Sequence, residues 1–259
     1  MTNNIPKYSE YIVTFIDIMG FKHLVETRYE GNAAPIVEII ESFVSTNTVC
    51  GRIITSGGFE KEVKSHFFSD SIVRRIRVGD KSDEHIMRTL NFEILQLALL
   101  QIYLIEQGVF IRGCINMGQM YGSKDSFFGK AFNDAYYYES SVAHNPLIVL
   151  SNEVFEFITT KQSQSSLEVL SLFANPEMHY NHGQPYISYL RMLVTSTLGM
   201  SPDQSVAFMR AHKKYIEEEL SLHQSNVPVF MKYLWLKEYH NHYVLQLPAF
   251  TDRNKLVIQ

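Results

Sequence analysis

Two aspartates stand out by their setting. The run Tyr11-Ile-Val-Thr-Phe-Ile-Asp17 places β-prone residues before a single acid, and Ile18-Met19-Gly20-Phe21 turns away behind it. An acid at the end of a buried strand is costly unless a cation meets it. Only local turn backbone follows Asp17, which makes a metal ion the economical partner. The pattern returns in His66-Phe-Phe-Ser-Asp70-Ser-Ile-Val-Arg74, where Asp70 falls at the expected tip of a hairpin. Two carboxylates about one strand pair apart suit two divalent cations over a triphosphate. Those cations would neutralise the phosphates and acidify an attacking hydroxyl. Singly, each acid has a more ordinary reading: Asp17 as a cap of the next helix, Asp70 as a turn residue. The pairing in apolar settings is what points to metal.

The other candidates are weaker. Gly20 and Phe21 would let backbone N–H groups approach phosphates at a helix start, or form an ordinary strand-to-helix turn. The stretch from Ser126 through Gly129 to Glu139 opens a helix carrying Asn133, an amide suited to a ribose or phosphate; spacing alone favours an exposed polar residue. His179 and His182, and His240 and His242, have no nearby cysteines and no zinc-like spacing, and read as structural or surface residues. Arg74-Arg75 and Lys213-Lys214 read as solvated basic pairs. Arg112, late in a strand, suits a phosphate or a structural ion pair equally.

These residues need elements to hold them. Strands are expected over 11–17, 63–69, 71–77, 109–117 and 147–150. Helices are expected over 34–48, behind the Ser82 cap to Gly108, and over 129–140, with another turn at 153–158. The stripe Ile86, Leu90, Ile94, Leu97 and Leu104 gives the second of these helices one apolar face. A loop or hairpin is expected over 53–61, and a polar linker over 159–166. The order β-α-β-β-α-β implies an α+β, ferredoxin-like core, an antiparallel sheet with helices on one face. Beyond it, Ser201-Pro-Asp-Gln204 starts a helix, with Val206, Met209, Ile216 and Leu220 on one stripe. The aromatic segment from Val229 to Leu245 adds to a helical layer on the core or at a dimer contact. The chain therefore divides into a core, 1–158, and a helical extension, 159–259.

Of the 259 residues, 46% are hydrophobic and 19% charged, enough for a substantial core. The net charge of −4 argues against a nucleic-acid surface but leaves room for a single nucleotide. The polar start, Met1 to Lys7, has no signal-peptide pattern. The longest apolar segment, Ile94 to Ile105, is broken by Gln96 and Gln101 and is too short to span a bilayer. Cys50 and Cys114 are expected to be reduced core residues. A cytoplasmic protein without direct membrane association is the expectation.

Together these landmarks resemble the class III nucleotidyl cyclase domain over roughly residues 11–150. That family carries Phe-x-Asp-Ile-x-Gly-Phe on its first strand; here Phe15-Ile-Asp17-Ile-Met-Gly20-Phe21 stands. Its second metal aspartate matches Asp70, its Arg-x-Gly-Ile strand matches Arg112-Gly-Cys-Ile115, and its Gly-x-x-Val-Asn-x-Ala helix matches Gly129-Lys-Ala-Phe-Asn133-Asp-Ala135. The resemblance implies two divalent ions (Mn2+ or Mg2+) on Asp17, Asp70 and the Ile18 carbonyl. It implies triphosphate contacts at Met19, Gly20 and Phe21, and a homodimer whose composite sites pair the aspartates of one subunit with Asn133 of the other. The family's base-reading positions fall on His66 and Ser126, which match neither adenylate nor guanylate cyclases. Its transition-state arginine is replaced by Tyr137. Phe67, Phe68, Phe127 and Phe128 crowd the base region, suiting a smaller base. With the helical extension and the run from Lys232 to Asn241, the chain looks like the bacterial pyrimidine cyclases of the Pycsar antiphage system. The resemblance thus implies cyclisation of UTP or CTP to a messenger, cyclic UMP or cyclic CMP, for a separate effector. A purine cyclase with unusual base readers, and a degenerate cyclase fold that only binds nucleotide or a protein partner, are the alternatives.

Overall fold

A computed structural model describes residues 7–43, 63–161, 183–247 and 252–259. Strand β1 (Ser9–Ile18) leads into a short α1 (Phe21–His23) that continues as a π-turn to Arg28, and then into α2 (Ala34–Ser42). Strands β2 (Lys64–Phe68) and β3 (Ser71–Arg77) form a hairpin, followed by α3 (Asp83–Glu106) and β4 (Ile111–Gly122). A two-residue β5 (Phe127–Phe128), α4 (Lys130–Ser141), β6 (Ile148–Leu150) and α5 (Asn152–Lys161) complete the first part. Then come α6 (Tyr189–Val194), α7 (Pro202–Leu222), α8 (Val227–Val244) and a 3-10 turn over Arg253–Lys255. The α+β class and the helical C-terminal part are as expected. The expected hairpin over 53–61 lies outside the described residues, as do Cys50, His179, His182 and positions 44–48 of the first helix.

The sheet runs β2-β3-β1-β4-β5, all antiparallel, and β6 pairs with β4 in parallel. Period-two alternation along β1 decides what each face meets. Ile12, Ile16 and Ile18 face a large core with Ile72, Ile76 and the apolar stripe of α3. Tyr11, Val13 and Phe15 face a smaller cluster with Val73, Met120, Ala131 and Ala135. Thus α4 lies against the sheet face opposite α3, tied there by Asn116 Nδ2 donating to the Ala131 carbonyl at 2.8 Å. Most helices sit on one face, as expected; α4 is the departure.

Both arginines of the expected solvated pair are buried, Arg74 to 1% and Arg75 to 2% exposure. Inside a strand they point to opposite faces. Arg74 goes to the α3 face, where Nε and Nη2 donate to the two carboxylate oxygens of Glu93 at 2.8 and 2.7 Å, and Nη1 to the Phe43 carbonyl at 2.9 Å. Thr14 Oγ1 also donates to Glu93, at 2.9 Å. This network keys α2 and α3 to the sheet.

Helix α3 starts at Ser82, whose side chain accepts from His85 N, with Asp83 and Glu84 at the positive end of the helix. Helix α7 carries the expected capping box, Ser201 with Gln204. The polar run from Thr159 begins as the last turn of α5, because Thr159 and Thr160 hydroxyls donate to carbonyls one turn back, at 2.9 and 2.8 Å. The expected division at 158 therefore falls inside a helix. The C-terminal helices share the main core with α3. Among the described residues, no helix is long and apolar enough to cross a membrane. Cys114 is buried and free, its thiol pushed up by burial.

Candidate active site

Strand register brings the two aspartates to one end of the sheet. Asp17 pairs with Ser71 across β1 and β3, and Ile18 N donates to the Asp70 carbonyl at 2.9 Å. The β2–β3 turn is tight: Ser69 has φ 59 there, a left-handed backbone that a serine adopts only at a cost. Ser71 Oγ lies 3.5 Å from Asp70 Oδ1. On the other side of β1, Asp17 pairs with Arg112. Arg112 Nε donates to Asp17 Oδ2 at 3.0 Å, and its Nη2 stands 2.9 Å from Glu139 Oε1 on α4. Burial raises the Glu139 carboxyl above its usual range, with Arg112 pulling it back. Gly113 makes this approach possible. A Cβ there would lie 2.4 Å from the Phe15 carbonyl oxygen, so any side chain would push β4 away from β1.

Behind Asp17, Met19 N donates to Phe110 O at 2.9 Å, and Gly20 takes φ 67. Space over Gly20 is open, with nothing within 4 Å of where a Cβ would stand. Ile18 is buried and Phe21 half-buried in the turn. Among the described residues no group of three or more His, Cys, Asp or Glu gathers as a metal site would. Two carboxylates and a main-chain carbonyl are hard oxygen donors of the kind Mg2+ and Mn2+ take, and leave most of an octahedral shell to phosphate and water. The donor set thus fits the expected ions only with a phosphate ligand present.

His66 sits two register steps from this end, opposite Val73, which pairs with Phe15. Its Nε2 accepts from Arg75 Nε at 3.2 Å, and its ring packs on Phe127 with centroids 4.7 Å apart. Burial first, then Arg75 and Lys64, hold the imidazole below its usual pKa. Since Nε2 accepts, the neutral ring carries its proton on Nδ1. Arg75 also donates to the Ser123 carbonyl, and Ser123 binds Ser126 N through Oγ at 3.0 Å. Arg75, which sequence spacing had suggested was solvated, therefore joins the His66 strand to the Ser126 turn. The signal was present: two arginines inside Ile-Val-Arg-Arg-Ile cannot both face water in a central strand.

Asn133 is exposed on α4, and its side chain makes no hydrogen bond among the described residues. Tyr137, at the place where the resembling family has arginine, is exposed too. His240 is structural, as expected. Its Nε2 donates to the Leu256 carbonyl at 2.9 Å, and its Nδ1 meets His212 Nδ1 at 2.9 Å.

No protein-family model and no curated protein matches the chain. Solved structures do. The guanylyl cyclase domain of the RhoGC fusion protein from the aquatic fungus Blastocladiella emersonii aligns at TM-score 0.43 and 19% identity, over 60% of this chain and 85% of that one. The adenylyl cyclase CyaB from P. aeruginosa aligns at TM-score 0.43 and 16% identity, over 70% of this chain and 92% of that one. The guanylate cyclase domain of RhGC from Catenaria anguillulae, solved with GTP, aligns at TM-score 0.41 and 16% identity, over 70% and 94%. At these identities and scores the likeness carries no argument about activity, which rests on the chain's own residues.

Proposed function

We propose that the chain is a metal-dependent nucleotidyl cyclase that closes a pyrimidine ribonucleoside triphosphate, UTP or CTP, to its 3′,5′-cyclic monophosphate. The observation that carries this reading is the pair Asp17 and Asp70, held at one end of adjacent strands beside the open turn at Gly20. Bound divalent ions would supply charge neutralisation and a more acidic 3′-hydroxyl. Asp17, Asp70 and the Ile18 carbonyl would hold them, and the Met19–Phe21 turn would receive the phosphates. In the reaction the 3′-oxygen bonds to the α-phosphorus, the bond from that phosphorus to the β-phosphate bridge breaks, pyrophosphate leaves, and the hydroxyl proton passes to water. Arg112 has a second anchor in Glu139, so it can give up Asp17 without being left unpaired.

The pyrimidine assignment is supported by His66 and Ser126 at the base-reading positions and by the rings of Phe127 and Phe68 beside them. With its proton on Nδ1, His66 offers the base a donor, which matches the O4 acceptor of uracil better than the amino group of cytosine. A homodimer is supported by the exposed rings of Phe68, Phe128, Tyr136 and Tyr137 fringing the sheet face that carries Asp17, and by Asn133, exposed on α4 with no hydrogen bond among the described residues. A messenger role in antiphage defence, with a separate effector, follows from the sequence resemblance alone. The presence of Tyr137 in place of an arginine favours one rival, a cyclase fold that binds nucleotide without turning it over. The test is incubation with each of the four ribonucleoside triphosphates and manganese, with mass identification of the product. A cyclic pyrimidine nucleotide is expected; faster turnover of ATP or GTP would replace the pyrimidine assignment, and no product from any would favour the binding fold.

A further inference from the structure

Helices α7 and α8 meet in an elbow over the Asp17 turn. Between elbow and turn lies a cavity of about 170 Å3, lined by Asp17, Met19, Gly20, Glu219, His223 and Lys232. Pockets that take a whole small molecule run to roughly 300–1,000 Å3, so this one accommodates part of a ligand.

The charged groups around it differ in how they are matched. Glu219 stands 3.1 Å from His223 Nε2 and is hydrogen-bonded by Tyr233. Arg112 has Asp17 and Glu139. Lys232 has neither an ion pair nor a hydrogen bond among the described residues, yet it is half-buried. Burial and the nearby Arg112 depress its pKa, and Asp17 and Glu139 oppose them. Partly burying an ammonium without a partner costs free energy, and an anion entering the cavity would remove that cost.

Resting on the nucleotide reading above, we propose that this cavity is a polyphosphate subsite, with Lys232 of the C-terminal helical part contacting the phosphates over the Asp17 of its own chain. A simple carboxylate would also suit a lysine. Asp17 in the same wall favours an anion that brings its own cations, as a metal-bound polyphosphate does. The subsite would also give the C-terminal helices a role: they place a lysine beside Asp17, whose partner Arg112 is already held by two acids.

The test is isothermal titration of the full chain with magnesium tripolyphosphate. Wild type is compared with Lys232→Ala, Lys232→Met, Lys232→Arg and, as a charge control, Lys214→Ala on the exposed side of α7. Loss of one charge-assisted contact should weaken tripolyphosphate about 10- to 100-fold in the Ala and Met variants. The Arg variant should keep most of the affinity and the Lys214 variant all of it. The Met variant keeps the buried stem, and its melting temperature shows whether the fold is intact. Equal affinity in wild type and a folded Lys232→Met, or no tripolyphosphate binding by wild type, overturns the subsite. The cyclase reading fails separately: a chain that binds tripolyphosphate through Lys232 but cyclises none of the four triphosphates would end that reading and leave the subsite standing.

Discussion

Arg112 ties the strand end that carries Asp17 to α4. It faces two acids, Asp17 at 3.0 Å and Glu139 at 2.9 Å, from a strand held close by Gly113. Asp17→Asn leaves Arg112 its Glu139 partner, so the fold should survive, with stability within about 1 kcal/mol of wild type for this partly exposed pair. Cyclisation in Asp17→Asn and in Asp70→Asn should fall by at least about 100-fold; near wild-type turnover in either folded variant would sink the two-metal reading. Glu93 is the opposite case. It is fully buried and accepts from Arg74 and Thr14. Glu93→Gln removes the charge and leaves Arg74 buried without its counter-ion, which should cost about 3–5 kcal/mol. Urea unfolding measures it, and a loss under about 1 kcal/mol would mean that water or a rearranged partner replaces the carboxylate.

At the scale of elements, the end of the chain is fastened to α7 and α8 by groups whose protonation matters. The Leu256 carbonyl can only accept, so His240 Nε2 carries the proton and His240 Nδ1 accepts from His212 Nδ1–H. His212 Nε2 then accepts from the Tyr189 hydroxyl at 3.0 Å. Both rings are neutral in this chain of bonds. Burial lowers His212 well below the usual histidine value, with His240 adding to it, and burial lowers His240 to about 4. The unfolded chain therefore takes up these protons first as pH falls. The stabilisation is fully present above the ordinary histidine pKa of about 6.5 and is lost as pH falls toward 4, at up to roughly 1.4 kcal/mol per pH unit for each ring. Urea midpoints at pH 7 and pH 5 should differ in that direction, and less so in His212→Phe. A wild-type midpoint that is flat over this interval would show that the rings are solvated.

For the whole molecule, the question is whether one chain makes a site. The aspartates lie at the end of β1 and β3, while Asn133 is exposed on α4 and unbonded among the described residues. Phe68, Tyr136 and Tyr137 leave more than half of each residue to solvent on that side. Two copies meeting through this face would bury those rings and bring the Asn133 of one toward the aspartates of the other. Asp17→Asn and Asn133→Ala should each be inactive alone, and mixing them should restore up to about a quarter of wild-type activity. Half of randomly exchanged dimers are mixed, and each of those keeps one of its two sites whole. Full activity in a strictly monomeric sample, by light scattering at assay concentration, would show that the site is complete in one chain.

Local pattern was enough for most of the elements, though not for the two-residue β5 or for α6. The β-prone run ending in Asp17, the apolar stripe of α3, and the Ser82 and Ser201 caps are short-range signals, and each strand and helix they implied is present where the chain is described. Local pattern also singled out Asp17 and Asp70, each an acid at the end of an apolar run, whereas His66 and Ser126 came from the family resemblance. The sheet register, not sequence distance, brings the two acids to one end. The burial of Arg74 and Arg75 was half legible: alternation puts them on opposite faces, but Glu93, His66 and Ser123 become their partners only when β2, α3 and the β4–β5 turn fold around β3. Lys232 was out of reach. It lies more than 200 residues from Asp17 in sequence, and no periodicity within α8 says which surface that helix covers. Tertiary packing alone set the α7–α8 elbow over the Asp17 turn, and so decided that an ordinary helical lysine loses water and is left facing an open cavity.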